Sequence, residues 1–443
     1  MELQLFNSLE SKISEIELKS NKVINIYLCG PTVYDHIHIG NLRSVIIFDV
    51  LHRLLLSLNI KVNYVQNITD IDDKIIDKAE KAEKDEKKIS NHYTKAYFNN
   101  LVNYNILFPT YSPRVTNYIP QIKDFINSLL EKGYAYEKEE EIFFHVGENK
   151  EYSKLSKQNL ENLKNVRKII QSTKKNEKDF IIWKKSEKGI MWNSPWGKGR
   201  PGWHTECVVF IKEFFKNQTI DIHGGGNDLL FPHHENERIQ YLVDNNSELS
   251  RLWFHISHIN RGKEKMSKSL GNVFLAKHFY QKYGSNVLRY IVLNTHHNQV
   301  INFNENLIRQ SLDYNYKIKI FLKKLNFYLY AEKIKIKKSE TIMTKQIITT
   351  LLNNLNTVKI FYFLDGIINF INKSIDCKNN DKEFQEGVNN FFFIIQILGF
   401  KFDLFSYNLS TKLLIKRWQD LRKNNNYIQA DEIRKELQNK GII

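Results

Sequence analysis

Tyr27-Leu-Cys-Gly-Pro-Thr-Val-Tyr-Asp-His-Ile-His-Ile-Gly-Asn-Leu-Arg43 joins a short apolar run, Val23 to Leu28, to a long amphipathic pattern that begins after Gly40. The run has the length and β-branching of a buried strand and is punctuated by Gly30-Pro31. Leu42, Val45, Ile46, Phe48, Leu51 and Leu54 then recur at helical spacing towards Leu56. Strand, glycine-bearing turn and helix, in that order, aim backbone N–H groups and the positive end of a helix dipole at phosphate. His36 and His38 lie in the turn, where an imidazole can hydrogen-bond a phosphate oxygen as charge builds on it. Gly40 and Asn41 open the helix.

Far downstream stands Lys265-Met-Ser-Lys-Ser-Leu-Gly-Asn272. Lys265 and Lys268, with serines beside them in a glycine-bearing loop, make a cationic clamp suited to a polyphosphate. His38-Ile39-Gly40-Asn41 and this lysine loop together resemble the paired signature of class I aminoacyl-tRNA synthetases. The resemblance implies an α/β architecture: a Rossmann-like parallel-sheet catalytic domain with an inserted connective region, followed by an all-α C-terminal domain. The expected boundaries are 1–304 for the catalytic domain, about 89–198 for the insertion, and 305–443 for the helical region.

Cys29, Cys207, His233 and Glu237 are distant in sequence, yet each falls near a strand end or a helix start. His233 and Glu237 are four apart on one expected helix and so share a face. Two thiolates, an imidazole and a carboxylate form a sound tetrahedral Zn²⁺ set. A lone cysteine is otherwise most often a small buried hydrophobe; Cys377 lies outside any motif and is read as structural. Cys29-Gly-Pro-Thr-Val-Tyr-Asp, Gly202-Trp-His-Thr-Glu-Cys207 and Asp221-Ile-His-Gly-Gly-Gly-Asn-Asp-Leu-Leu-Phe-Pro-His-His-Glu-Asn-Glu237 are similar to the zinc segments of the cysteinyl-tRNA synthetase family. The resemblance implies that these four residues bind the metal.

It also implies the chemistry. ATP, with Mg²⁺ held mainly through its phosphates, would activate L-cysteine, and the cysteinyl group would pass to the terminal adenosine of tRNA-Cys. Positioning and charge stabilisation would carry the rate, through His36, His38, Lys265 and Lys268 on the triphosphate. Gly40, Asn41, Gly224, Gly225, Gly226 and Lys268 would contact ATP, and Gly30, Thr69 and Trp203 would line the amino-acid pocket. One of His204, His223 and His234 would accept the thiol proton. Zinc would choose thiolate over hydroxyl, so editing would be unnecessary. A monomer is expected on the same ground.

Formal net charge is +16 with a pI near 9.3, which favours a polyanionic partner. Three cysteines argue for a reducing compartment rather than a disulfide framework. No signal pattern opens the chain and no apolar run reaches the length of a membrane span, so a cytoplasmic protein is expected.

Further expected elements are a strand from Ile60 to Ile68, a charged helix from Asp77 to Lys88, and helices at Tyr93–Asn105 and Asn117–Lys132. A hairpin spans Tyr134 to Val146. A helix at Thr205–Phe215, a strand at Thr219–Ile222, a helix at His233–Val243 and a strand near Phe254–Ile259 complete the catalytic half. Beyond Asn304 the pattern is helical, at Leu307–Tyr330, Thr344–Phe363, Phe384–Leu398 and Leu414–Leu437.

Two departures from the family pattern stand out. Asn41 replaces a common histidine, and an amide can still donate a hydrogen bond there. The chain also ends short of a Gly-Thr-x-Trp-type tail, so anticodon discrimination is expected to be weaker or built differently. Other readings fit less. A ligase joining cysteine to an amino-sugar needs no long basic helical region. A zinc hydrolase, with Glu235 as base, lacks a His-Glu-x-x-His helix and leaves the lysine loop unexplained. An RNA-binding protein descended from a synthetase needs none of the metal ligands.

Overall fold

The structure is a computed structural model that describes residues 1–147, 149–158, 174–176, 178–262, 264–267, 271–336, 340–402 and 407–442. It forms two compact units. One comprises residues 1–282, 297–302 and 352–355; the other comprises 283–296, 303–351 and 356–443.

The first unit opens on an antiparallel hairpin, β1 (Glu2–Asn7) and β2 (Lys12–Glu17), which the sequence reading did not anticipate. Its signal is an alternation, with Leu3, Leu5 and Ile16 buried while Glu2, Phe6, Glu15 and Glu17 are exposed. Then come β3 (Val23–Leu28), α1 (Ile39–Ser57) and β4 (Lys61–Gln66), a right-sized strand–helix–strand unit. Leu42, Val45, Ile46, Phe48, Leu51 and Leu54 of α1 are all buried, as their spacing predicts. Next are α2 (Asp73–Lys81), α3 (Glu86–Asn103) and α4 (Ile119–Glu131).

Five short strands follow: β5 (Ala135–Lys138), β6 (Glu141–Phe144), β7 (Phe180–Lys185), β8 (Trp192–Ser194) and β9 (Gly197–Pro201). They make one antiparallel sheet in the order β5-β6-β7-β9-β8. The chain then returns through α5 (Glu206–Phe214), β10 (Ile220–Gly226), α6 (Glu235–Asn245) and β11 (Ser250–Ile256). The hairpin strands β12 (Ile259–Arg261) and β13 (Glu264–Lys265) lead to α7 (Ala276–Tyr283).

The central sheet runs β11-β10-β3-β4, and every pairing in it is parallel. β3 pairs with β4 on one side and with β10, from far along the chain, on the other. Six of the seven residues of β10 are buried, as expected of a strand covered on both faces.

Among the described residues the second unit is helical apart from the end of β14 (Ile301–Phe303). It contains α8 (Ser285–Leu293), α9 (Glu305–Ala331), α10 (Ile342–Leu352), α11 (Thr357–Asp376), α12 (Lys382–Ile397), α13 (Leu409–Lys423) and α14 (Tyr427–Asn439). Among the described residues no helix is long and apolar enough to cross a membrane.

Three expected helices are each broken in two. The charged stretch from Asp77 to Lys88 stops at Lys81, and the Asp85 carboxylate accepts from the Lys88 N–H at 3.1 Å to start α3. Thr344 to Phe363 breaks between α10 and α11, where Asn354 and Leu355 have positive φ and Asn356 caps α11. Leu414 to Leu437 breaks at Asn424-Asn-Asn426, with Asn425 left-handed and Asn426 capping α14. Apolar periodicity continues across each gap, but Asp and Asn side chains offer the backbone a cap that helix interiors lack.

Asp244, near the end of α6, ties three helices together. Its carboxylate accepts from Ser128 Oγ of α4 at 2.7 Å and from Nζ of Lys132, the residue that ends that helix, at 2.5 Å, and pairs with Lys212 of α5. Its side chain is 2% exposed. Burial works to raise its pKa, but Lys132, Lys212 and Ser128 together hold it below the ordinary 3.8. A depressed carboxyl stabilises the fold above its unfolded pKa, and the contribution fades as pH falls through the folded value. Asp244→Asn should therefore cost roughly 1–3 kcal/mol at neutral pH. Urea unfolding should show the gap to the parent protein narrowing below pH 3.8; a gap independent of pH would contradict this.

Candidate metal centre and phosphate loops

Because β3 has β4 on one side and β10 on the other, a crevice opens at the carboxyl ends of β3 and β10, where open α/β sheets take their ligands. Cys29 is the first residue beyond β3, and its N–H donates to the Gly224 carbonyl of β10 at 3.2 Å. Gly30 can be nothing else, since a Cβ there would lie 1.7 Å from the Asn67 carbonyl oxygen. Its N–H donates to Asn67 Oδ1 at 2.8 Å. At Gly224 the space is taken by the protein itself: a Cβ would meet the Phe254 carbonyl at 2.3 Å and the Phe48 ring at 2.4 Å.

Cys207 sits in the first turn of α5, and Glu237 in the first turn of α6. His233 precedes α6 rather than lying within it, which corrects the expected helix start. Phe231 is extended (φ −138°, ψ 134°) ahead of Pro232, and regular helix begins at Glu235. His233 and Glu237 still face each other, with Nε2 2.7 Å from Oε1.

The four side chains converge. Cys29 Sγ lies 3.8 Å from Cys207 Sγ, 3.6 Å from His233 Nε2 and 3.6 Å from Glu237 Oε1. Cys207 Sγ lies 3.7 Å from His233 Nε2. Two thiolates about 2.3 Å from a tetrahedral Zn²⁺ would stand about 3.8 Å apart, and a thiolate and an imidazole or carboxylate about 3.6 Å apart. The four distances that involve a thiol match these edges. The His233–Glu237 distance is that of a hydrogen bond and is shorter than the roughly 3.4 Å edge of two ligands on one ion.

The charges point the same way. Burial, then the neighbouring thiol and Glu237, push the Cys29 thiol well above its ordinary pKa. Burial would also raise Glu237, but His233 and His223 hold it well below the usual carboxylate range. Two thiols and a carboxylate together outnumber the imidazoles that offset them, and a divalent cation would balance their charge. A second grouping, Cys29, His223, His234 and Glu237, also brings four donors together. It offers one thiol instead of two and suits a soft cation less.

Around the four lies a buried imidazole layer. His223 Nε2 is 2.7 Å from the second oxygen of Glu237, and the His223 ring stacks on Trp253 with centroids 4.5 Å apart. His223 pairs in register with Tyr27 on β3 and Trp253 on β11, so three parallel strands place it under the crevice. His204 Nδ1 lies 3.1 Å from His233 Nδ1, leaving Nε2 of His233 to the cluster. Trp203, 41% exposed, stacks on the His233 ring at 4.2 Å. His234 Nε2 is 3.3 Å from Cys29 Sγ and its Nδ1 is 2.8 Å from His255. Burial lowers both His234 and His255, the latter to about 3, so these two rings are neutral.

The sequence reading missed Glu206, Asn67 and His255. The Thr69 hydroxyl donates to Glu206 Oε2 at 2.9 Å, and Asn67 Nδ2 donates to Thr69 Oγ1 at 3.2 Å. Thr69 is thus held at the strand end, 2% exposed, by a chain that starts beside Cys207. Nothing in a linear sequence marks this, apart from Glu206 being adjacent to a candidate ligand.

The phosphate loops are stitched together by backbone. The Ile39 N–H donates to the Phe274 carbonyl at 3.0 Å and the Ala276 N–H to the Ile37 carbonyl at 2.9 Å. The turn that bears His38 therefore meets the chain just beyond the lysine loop. His38 precedes α1, and Asn41 Oδ1 accepts its N–H at 3.0 Å. Asn41 thus works first as an acceptor that caps the helix, a role the sequence reading did not give it. The His36 ring packs edge-on against Tyr93 of α3, with centroids 5.2 Å apart. Lys265 ends the β12–β13 hairpin and pairs with Asp228 at 3.1 Å. Asn272 closes the loop, accepting from the Ser267 N–H at 2.8 Å and donating to the Lys265 carbonyl at 3.2 Å. Lys268 lies outside the described residues. A cavity of about 630 Å³ adjoins these segments, lined by Asp35, Arg261, Val273, Phe274, Leu275 and His278. Gly224, Gly225 and Gly226 end β10 and are not part of that lining.

Residues 15–313 match the family of the catalytic domain of tRNA synthetases class I (C). The chain is 42% identical over 446 residues to a cysteine–tRNA ligase of Mycoplasma mycoides subsp. mycoides, and 43% identical over 448 residues to one of Mycoplasma capricolum subsp. capricolum. Both alignments cover all of this chain and all of the relative. Among solved structures, a Mycobacterium tuberculosis methionyl-tRNA synthetase in complex with methionyl-adenylate superposes with a TM-score of 0.60 at 13% identity. It covers 85% of this chain and 89% of that one, a likeness of fold.

The hydrogen bond from His223 orients Glu237, and such supporting contacts typically change metal affinity about 10–100-fold. His223→Ala should weaken Zn²⁺ retention by that factor in titration against a chromophoric chelator, and His223→Gln, which keeps a donor, by less. Equal retention in all three proteins would remove His223 from the metal centre.

Proposed function

This chain belongs to the cysteine–tRNA ligases of class I, and from that premise we propose that Cys29, Cys207, His233 and Glu237 hold one Zn²⁺ that recognises the substrate thiolate. The observation that carries the proposal is the set of four thiol-centred distances, 3.6–3.8 Å, which suits one tetrahedral ion. The reaction is ATP-dependent activation of L-cysteine and its transfer to tRNA. When bound, the zinc would supply a soft Lewis-acid contact that a thiolate satisfies and a serine hydroxyl does not.

The chain's own residues then have these roles. Trp203, stacked on His233, and Thr69, fixed by Glu206, border the pocket for the cysteine. The substrate carboxylate attacks the α-phosphorus of ATP, a new C–O–P linkage forms, and the bond to the bridging oxygen breaks with release of pyrophosphate. His38 at the start of α1 and Lys265 on its hairpin meet the triphosphate as negative charge shifts towards the leaving oxygens. Lys268 serves the same end, and Mg²⁺ accompanies the phosphates. His36, packed against Tyr93, is placed to shape the turn that carries His38. Gly40 and Asn41, at the same helix start, offer the phosphates an approach free of bulky side chains. The ribose hydroxyl of the terminal tRNA adenosine then attacks the cysteinyl carbonyl and AMP leaves. The proton of the substrate thiol requires an acceptor nearby, and His204, His223 and His234 are the imidazoles that border the four ligands.

Transfer of labelled cysteine to a tRNA-Cys transcript tests the whole reading. Robust charging is expected; cysteine-dependent ATP–pyrophosphate exchange without charging would leave activation right and the acceptor wrong. Cys207→Ser should lose zinc, measured by elemental analysis, and raise the KM for cysteine steeply. Unchanged zinc content would overturn the ligand set.

A further inference from the structure

Arg43 is an arginine buried where arginines are rarely buried. It lies on α1, two residues beyond Asn41, and its side chain is among the largest fully enclosed ones, with the residue 1% exposed. Its guanidinium does not reach outward to phosphate. Nη1 donates to the His258 carbonyl at 2.6 Å and Nη2 to the Gln299 carbonyl at 2.5 Å. His258 is the residue immediately before β12, so the first bond grips the base of the hairpin that ends in Lys265.

The second bond grips a neighbouring turn that is tied to the same base. The Ser257 N–H donates to the His297 carbonyl at 2.9 Å, Ser257 Oγ donates to the Asn298 carbonyl at 2.7 Å, and the Ile301 N–H donates to His258 at 3.2 Å. Burial lowers the Arg43 pKa to about 9, so the group remains charged at neutral pH. A lysine or a neutral side chain cannot reproduce the two-pronged geometry of the planar fork. Burying a cation is costly, and hydrogen bonds to peptide carbonyls offset only part of that cost.

We propose that Arg43 is a positioning residue that fixes the lysine-bearing hairpin in register with the start of α1, so that Lys265 and His38 address one triphosphate. The proposal rests on the adenylating role of Lys265 given above. Arg43 touches no substrate. It works by joining two segments that lie more than 200 residues apart in sequence and must act within one ångström-scale geometry. A second strut, from the turn of His38 to Phe274 and Ala276, holds the far side of the lysine loop. Between them, the loop is anchored at both ends to the helix that bears the first signature.

The test is a double-mutant cycle on cysteine-dependent ATP–pyrophosphate exchange, using the full-length zinc-loaded protein. Arg43→Lys keeps the charge and the volume and is the variant to use; Arg43→Met is a harsher companion. Wild-type exchange with cysteine must be present first, which tests the function separately from this inference. Arg43→Lys should lower kcat about 10–100-fold while zinc content and the KM for cysteine stay within twofold. In a Lys265→Ala background, Arg43→Lys should add less than a threefold further loss, because its effect passes through the lysine hairpin. Full additivity in the cycle, unchanged exchange in Arg43→Lys, or a matching loss of zinc and cysteine binding would each overturn the proposal.

Discussion

The parallel pairing of β3 with β10 is the constraint on which the rest depends. It matches Leu28 with Gly224 and Tyr27 with His223, although these residues are almost 200 positions apart. Once that register is set, Cys29 leaves β3 opposite the glycines of β10, and the turn after β10 and the first turn of α6 return His233 and Glu237 to it. A side chain at Gly224 would strike the Phe254 backbone and the Phe48 ring, so the sheet and α1 could not close. On the other side of β10, its pairing with β11 aligns His223 with Trp253 and builds the imidazole layer beneath the cluster.

That layer makes electrostatic sense of the site. Two thiols and a carboxylate in a largely buried pocket are costly if charged and unpaired. Imidazoles at His223 and His233 offset the charge of Glu237 in part, and a divalent cation would complete the balance. In the proposed reading such a cation would meet a small soft ligand beside Trp203, which stacks on His233. Selection of cysteine by chemistry rather than by size would follow, since serine matches cysteine in shape and differs in softness.

Much of this was legible in the sequence because the relevant signals are local. Val23 to Leu28 and the apolar stripe of α1 mark a strand and a helix through spacing alone, and the structure places β3 at Val23–Leu28. The candidate ligands carried by three quoted segments converge in space. What escaped was of two kinds. Helices ran on in the reading wherever apolar spacing continued, because the Asn side chains at 356 and 426 that cap new helices do not disturb the periodicity. Contacts made across the fold, such as Thr69 with Glu206, Arg43 with His258, and Asp244 with Lys132, leave no mark on spacing. The position of His233 ahead of α6 depended on the extended Phe231 before Pro232, a turn whose neighbours all favour helix.

The central claim is that a metal held by Cys29, Cys207, His233 and Glu237 selects cysteine. The most direct measurement is ATP–pyrophosphate exchange with cysteine and with serine, before chelation, after it, and after Zn²⁺ is restored. The account predicts a preference for cysteine on the order of 10⁴-fold or more with metal present. It predicts loss of cysteine-dependent exchange on removal of the metal and recovery on its return. A metal-free protein that still prefers cysteine by the same ratio would contradict it.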